Sequence, residues 1–137
     1  MATDEFSTLS HHPQLSRAYE LTIGEAPDDK ELAEIFDPEV EIDFSGREVR
    51  PRVYKGFGGV RELLADLRES LDDFKFEVEE IREAGDSLVA YIHTRGRLPG
   101  SGEPVSQMPA HVWTMAGGRI RSGRYFADRQ EALGSVK

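Results

Sequence analysis

The sequence contains no cysteine and only one tryptophan in 137 residues. Without cysteine the chain forms no disulfide, and it offers neither a cysteine nucleophile nor a thiolate metal ligand. No apolar run reaches the ~18 residues of a membrane span, and the first residues do not resemble a signal peptide. We therefore expect a cytoplasmic protein that does not associate with membranes.

Basic residues are also scarce relative to acidic ones. Lysine and arginine number 17 against 26 aspartates and glutamates, which gives a net charge of −9 at pH 7. Nucleic acids and membrane surfaces are anionic, so we predict neither as a partner. The arginines collect in strand-like stretches, among them Arg95 and Arg97. They either pair with acids such as Glu77 across strands or form a strip that binds an anion or a protein partner.

The length of the chain fits one domain with a sufficient hydrophobic core. Residues 1–13 are predicted to be a flexible N-terminal lead-in that ends at Pro13. Residues 14–137 are predicted to form a single domain. His11 and His12 lie in the lead-in without a third ligand at suitable spacing, so we predict no metal site.

Apolar spacing predicts three helices followed by a run of strands. Residues 14–23, 28–37 and 56–70 have helical spacing, most clearly in the third, where apolar residues recur at intervals of three and four. Residues 46–56 are predicted to be an irregular basic loop. Alternating patterns predict strands over 40–44, 74–79, 88–98, 105–115 and 119–127.

Two single residues refine this pattern. Pro109 indicates a bulge or an edge position within the strand 105–115. Asp128 is expected to cap a short terminal helix. Long strands must coil strongly, so the sequence predicts an α+β fold whose curved antiparallel sheet carries three helices on its concave side. Such a cone leaves a pocket for a small, largely apolar organic molecule.

Several segments also resemble a known family. They are Trp113, the turn 117–120, the tail 125–133 and the opening segments 18–21 and 32–40. The chain resembles a SnoaL-like, ketosteroid isomerase-like member of the nuclear transport factor 2-like superfamily, which also includes limonene epoxide hydrolase and scytalone dehydratase. The resemblance implies a cone-shaped, cystatin-like α+β barrel, often a homodimer packed through the sheet. It implies a deep pocket that usually needs neither metal nor cofactor.

The acid–base residues of these relatives are not reproduced at the matching positions. Tyr19 matches the isomerase tyrosine that contributes to an oxyanion hole. Phe44, however, falls where the isomerase has its aspartate base, and Asp43 is expected to point the other way. Tyr125 falls where the cyclases and the epoxide hydrolase have an acid.

The remaining candidates are histidines and tyrosines. His111, His93 and Tyr19 are the predicted catalytic residues, because histidine titrates near neutral pH and a tyrosine hydroxyl can donate to a carbonyl oxygen. The predicted ligand-binding residues are Tyr19, Phe44, Tyr54, Trp113 and Tyr125.

Each candidate has a structural alternative. Trp113, His111 and Tyr19 could be packing residues of the core or of a dimer interface. His93 could pair with Glu77 across a hairpin if the turn at residues 84–86 has three residues.

Three functions stay open at this point. The first is an isomerase, cyclase or dehydratase that uses tyrosine and histidine acid–base groups. The second is a noncatalytic binder of a polyketide-, terpenoid- or steroid-like ligand. The third is a dimeric interaction module that uses the arginine-rich outer sheet.

Overall fold

The computed structural model describes residues 6–7, 12–22, 26–47 and 51–136. Eight strands form one sheet and four helices pack on it, within this described part of the chain. The helices are α1 (Pro13–Glu20), α2 (Asp29–Ile35), α3 (Gly56–Ser70) and α4 (Arg129–Ser135). The strands are β1 (Phe6–Ser7), β2 (Phe36–Asp43), β3 (Val53–Lys55), β4 (Asp72–Ala84), β5 (Ser87–Arg97), β6 (Pro104–Gln107), β7 (Ala110–Ala116) and β8 (Arg119–Phe126).

Local sequence explains where the helices begin. Pro13 occupies the first turn of α1, where its missing N–H costs nothing. The Asp28 side chain accepts a hydrogen bond of 2.8 Å from the Glu31 amide and caps α2. The Asp128 carboxylate accepts from the Gln130 and Glu131 amides, which confirms the predicted cap of α4. None of the described helices is long and apolar enough to cross a membrane.

The sheet order is β1-β4-β5-β7-β8-β2-β3. Strand β6 pairs with β5 on the same side as β7. Register shifts interrupt four places in the ladders, including the step from Val78 to Glu80 in β4. Such bulges bend a strand and increase its twist, so the sheet curls into the predicted α+β cone.

The two faces of the sheet carry different helices. The inner face packs against α1, α2 and α3, which form one apolar cluster with residues such as Leu88, Ala90 and Ile92. The outer face carries α4, whose Ala132 packs with Val89 and other residues of a second cluster. Three helices on the concave side are therefore confirmed, and α4 adds a fourth on the opposite side.

The structure corrects three details of the predicted strands. The sheet is mixed rather than antiparallel throughout, because β2 and β8 run parallel. The predicted strand 105–115 is divided into β6 and β7 around Pro109, where a bulge or an edge position within one strand was predicted. The loop 46–56 contains the short strand β3, which pairs with β2 through Tyr54 and Ile42.

The N-terminal predictions fall partly outside the described residues. Helix α1 ends at Glu20, earlier than predicted, and Ile23 lies beyond the described range 12–22. Within the predicted lead-in, the backbone of Phe6–Ser7 pairs with β4. His11 lies outside the described residues, as do residues 1–5 and 8–10 of the lead-in.

Candidate functional site

The concave side of the sheet encloses a cavity of about 240 Å³. Its walls come from α1, the end of β2, α3, the inner faces of β4 and β5, and the strands on either side of Pro109. The lining is mostly apolar and aromatic, as is typical of a small-molecule pocket. The polar side chains of the lining are Tyr19, Thr22, Arg47, Ser70, Thr94, Gln107, His111 and Tyr125.

A chain of three hydrogen-bonded side chains forms one wall of the cavity. The Trp113 indole Nε1 donates to the Tyr19 hydroxyl oxygen over 2.9 Å. The same hydroxyl lies 2.8 Å from Nδ1 of His111. An indole nitrogen can only donate, so the phenol proton of Tyr19 is left for His111 or for a molecule in the cavity. No hydrogen bond joins the other histidine nitrogen, Nε2, to any of the described residues.

Strand alternation and helix spacing bring these three residues together. His111 and Trp113 lie two residues apart on β7, so both side chains point to the inner face. Tyr19 lies on the buried side of α1 with Leu15 and Ala18. The distance of 92 residues between Tyr19 and His111 in the sequence is closed by packing α1 onto the sheet.

The surroundings of His111 and Tyr19 keep both side chains neutral at physiological pH. Burial, aided by the positive charge of Arg47, lowers the pKa of His111 to about 3. Burial raises the pKa of Tyr19 far above its ordinary value, although the hydrogen bond from Trp113 partly opposes this shift. Tyr19 is therefore a phenol donor and His111 a neutral imidazole.

Phe44 is the centre of an aromatic wall beside the hydrogen-bonded residues Trp113, Tyr19 and His111. Its ring centroid lies 5.4 Å from that of His111 and 5.3 Å from that of Tyr125. The Arg47 guanidinium carbon lies 5.7 Å from the centroid of the Phe44 ring. The wall thus combines flat apolar surface with one positive charge.

The structure brings four of the predicted residues to the cavity. Tyr19, Phe44, His111 and Tyr125 all line it. Trp113 does not line the cavity but lies behind Tyr19 and His111, and its indole donates to the Tyr19 hydroxyl. Tyr54 is buried beneath Phe44, and its hydroxyl donates to the Asp66 carboxylate instead of facing the cavity.

His93 is the predicted catalytic residue that the structure separates from the others. It lies opposite Glu77 on the outer face of β5, with its Nε2 2.7 Å from the Ser106 hydroxyl. The hairpin turn has two residues rather than three, since Ala84 pairs with Ser87. The bulge between Val78 and Glu80 shifts the register by one residue, so that His93 pairs with Glu77 despite the shorter turn.

Sequence reasoning did not identify Arg47 as a residue of the site. Arg47 follows the turn after β2, where strand alternation no longer indicates direction. It is the only side chain with a full charge among the described residues that line the cavity. Among the described residues, none that lines this cavity is a carboxylate, and no cluster could bind a metal ion. Asp43 points away from the cavity, and hydrogen bonds from Ser45 hold its pKa below the usual range.

Comparison with solved structures supports the fold. A nuclear transport factor 2-like protein from Burkholderia thailandensis E264 is 20% identical, with a TM-score of 0.69 over 92% of this chain and 96% of that chain. A proposed SnoaL-like polyketide cyclase from Jannaschia sp. CCS1 is also 20% identical, with a TM-score of 0.67 over 99% and 95%.

A third structure contains a bound small molecule. It is a hypothetical protein with a ketosteroid isomerase-like fold from Catenulispora acidiphila DSM 44928, in complex with trimethylamine. It is 14% identical, with a TM-score of 0.67 over 82% of this chain and 83% of that chain.

Sequence comparison assigns the family. No curated protein matches the chain. The model of the SnoaL-like domain family matches residues 16–123, which include Tyr19, Phe44, His111 and Trp113. The chain therefore belongs to the SnoaL-like domain family.

Proposed function

We propose that the chain is an enzyme of the isomerase, cyclase or dehydratase type that acts on a small, largely apolar carbonyl compound. The observation that carries this proposal is the Trp113–Tyr19–His111 hydrogen-bond network on the wall of a mostly apolar cavity. A packed core does not need a phenol and an imidazole beside an open space.

One tautomer of His111 gives Trp113, Tyr19 and His111 each a role in catalysis. When Nδ1 carries the proton, Trp113 and His111 both donate to the Tyr19 oxygen, and the Tyr19 O–H is free for a substrate carbonyl. Nε2 of His111 then presents a lone pair to the cavity and takes a proton from the carbon next to that carbonyl. The C–H electron pair becomes the enolate, whose oxygen Tyr19 stabilises. In isomerisation, His111 returns the proton to another carbon of a conjugated enolate. In cyclisation, the enolate carbon attacks a second carbonyl and the resulting alkoxide takes the proton from His111. In dehydration, the enolate expels a hydroxyl group from the neighbouring carbon, and this group takes the same proton and leaves as water.

The comparisons support a small-molecule role at the level of the fold. One solved relative contains trimethylamine and another is described as a proposed polyketide cyclase. Members of one fold perform different functions, so the residues of this cavity must carry the argument for this chain.

Deuterium exchange of an aromatic ketone tests the proposal. With 2-tetralone in deuterated buffer, the native chain should exchange the protons next to the carbonyl faster than buffer alone, as followed by proton NMR. His111→Ala should remove most of this acceleration, by roughly 100-fold for loss of a general base. Tyr19→Phe should reduce it too. His93→Ala is the matched control, because His93 lies on the outer face, and it should leave the rate unchanged.

A second candidate function is noncatalytic binding of the same class of molecule. The low pKa of His111 favours it, because a general base is most efficient when its pKa lies near the operating pH. Binding of 2-tetralone, seen by ligand-observed NMR, without accelerated exchange would establish this function in place of the enzyme. Equal exchange by the native chain and His111→Ala would also contradict the catalytic proposal.

The predicted homodimer and cytoplasmic location stay proposals. The resemblance to the superfamily supports a dimer packed through the sheet, and light scattering coupled to size-exclusion chromatography would test it. A mass of one chain would remove the dimer and, with it, the interaction-module alternative. Imaging of the tagged full chain in cells would test the location.

A further inference from the structure

We propose that the ligand of the cavity carries an anionic oxygen acid, a carboxylate or an ionised enol, on a flat apolar ring system, and that Arg47 binds this group. The inference rests on the proposed function, because it names the chemical class of molecule that the same cavity takes.

The sign of the charge in the cavity is the first argument. The whole chain has a net charge of −9, yet the only full charge among the described residues lining the cavity is the positive charge of Arg47. The other polar lining groups, such as Thr94 and Gln107, are neutral. Coulomb interactions are stronger beside apolar surface than in water, so a ligand group placed next to Arg47 is favoured when it is an anion rather than a neutral or cationic group.

The position of Arg47 is the second argument. Arg47 and His111 both lie against the Phe44 ring, at 5.7 Å and 5.4 Å from its centroid. The positive charge is also close enough to His111 to contribute to its lowered pKa. A flat molecule stacked against Phe44 and Tyr125 can therefore reach Arg47 and the Tyr19–His111 pair at once.

The donor chemistry is the third argument. A guanidinium offers planar paired N–H groups that match the two oxygens of a carboxylate. Tyr19 supplies a neutral hydroxyl that suits an uncharged carbonyl oxygen. The site thus offers two different oxygen-binding groups, one for an anion and one for a neutral oxygen, joined by aromatic surface.

A matched pair of probes tests this assignment on the full chain. Binding of 2-naphthoate and of its neutral analogue 2-naphthamide would be measured by isothermal titration calorimetry at low salt. The native chain should bind the carboxylate at least roughly tenfold more tightly, as expected for a hydrogen-bonded charge pair. Arg47→Gln should bring the two affinities close together, and Arg47→Lys should keep part of the preference.

Arg124→Gln is the control for net charge. It removes one positive charge from an exposed residue of β8 that does not line the cavity, so the preference for the carboxylate should persist. Circular dichroism of each variant checks that the fold is retained. Equal binding of both probes to the native chain would overturn the inference while leaving the small-molecule function intact. A carboxylate preference that survives Arg47→Gln would also overturn it. Failure of both probes to bind would contradict the proposed function together with the inference.

Discussion

At the scale of single residues, the least expected feature is a histidine that stays uncharged. His111 lies between the Tyr19 hydroxyl, the Phe44 ring and the Trp113 indole, and the positive charge of Arg47 acts on it. None of these neighbours is a carboxylate that would pair with an imidazolium, burial disfavours the charged ring, and Arg47 repels it. Without a ligand the site therefore holds a neutral imidazole, unlike sites in which a carboxylate holds histidine charged.

The first prediction concerns the pH dependence of His111. Its pKa in the folded chain is about 3, well below the ordinary value, so the unfolded chain binds the proton first as the pH falls. The contribution of His111 to stability should be complete above about pH 6.5 and should decline as the pH falls from there towards about 3. Urea denaturation of the native chain and of His111→Gln between about pH 7 and pH 5 should show a steeper decline for the native chain, by at most about 1.4 kcal/mol per pH unit.

NMR provides the direct check on this shift. The ring protons of His111, assigned by their absence in His111→Gln, should not titrate above about pH 5. A midpoint near the ordinary histidine value would show that the imidazole is solvated, and the neutral-wall interpretation of the site would then be wrong.

A second residue-scale prediction concerns Gly123, which lies opposite Trp113 in the β7–β8 ladder. A Cβ atom added at Gly123 would lie 2.5 Å from Cζ3 of the indole, so Gly123→Ala must displace the ring that donates to Tyr19. We expect a loss of about 1–3 kcal/mol of unfolding free energy from overpacking. Chemical denaturation measures it.

Gly58→Ala is the matched control for Gly123→Ala. Gly58 lies in α3, has no atom within 4 Å of its added Cβ, and should become more stable by about 0.5–1 kcal/mol. A Gly123→Ala variant as stable as the native chain would show that the indole can shift without cost.

At the scale of elements, a side chain from the outer helix α4 supplies hydrogen bonds where the sheet is interrupted between β6 and β7. Arg129 of α4 donates to the backbone carbonyls of Ile92 and Met108 over 3.0 and 3.2 Å. It also pairs with Glu79 at 2.6 Å and stacks over the Tyr91 ring. A strand that breaks at Pro109 loses ladder bonds, and Arg129 supplies donors in their place.

Removing those donors should weaken this corner of the sheet. Arg129→Met keeps the apolar stem over Tyr91 but leaves the two carbonyls without the guanidinium. We expect the unfolding free energy to fall by about 1–3 kcal/mol. Arg121→Met is the control. Arg121 is exposed and its ion pair with Asp37 is long, at 3.9 Å, so the substitution should change stability by less than about 0.5 kcal/mol. Equal effects of the two substitutions in urea denaturation would contradict this role for Arg129.

At the scale of the whole molecule, the sequence predicts elements better than it predicts contacts between them. Helix α3 has the predicted bounds because its apolar residues repeat over four turns, and that signal needs no tertiary information. Strand β3 was not predicted, since three residues around Tyr54 are too short to show a period. The parallel pairing of β2 with β8 joins distant parts of the chain, so no local pattern can reveal it.

The site shows the same division between local and long-range information. Alternation on β7 correctly placed His111 and Trp113 on one face, because period two is a property of the strand itself. The hydrogen bond from Trp113 to Tyr19 depends on how α1 docks, which the sequence alone did not specify. Arg47 follows a turn, where no periodicity indicates the direction of a side chain.

The last prediction asks whether the hollow of the cone is a binding site or only a gap in packing. Thr94 lies on the inner face of β5 and lines the cavity, whereas Thr114 lies on the outer face of β7. The phenyl ring of Thr94→Phe should fill part of the cavity of about 240 Å³. The melting temperature should therefore stay the same or rise, while 2-naphthoate binding is lost. Thr114→Phe should bind the probe as the native chain does. Native affinity in Thr94→Phe, measured by calorimetry, would place the ligand outside the cone, and both proposals for the cavity would fail with it.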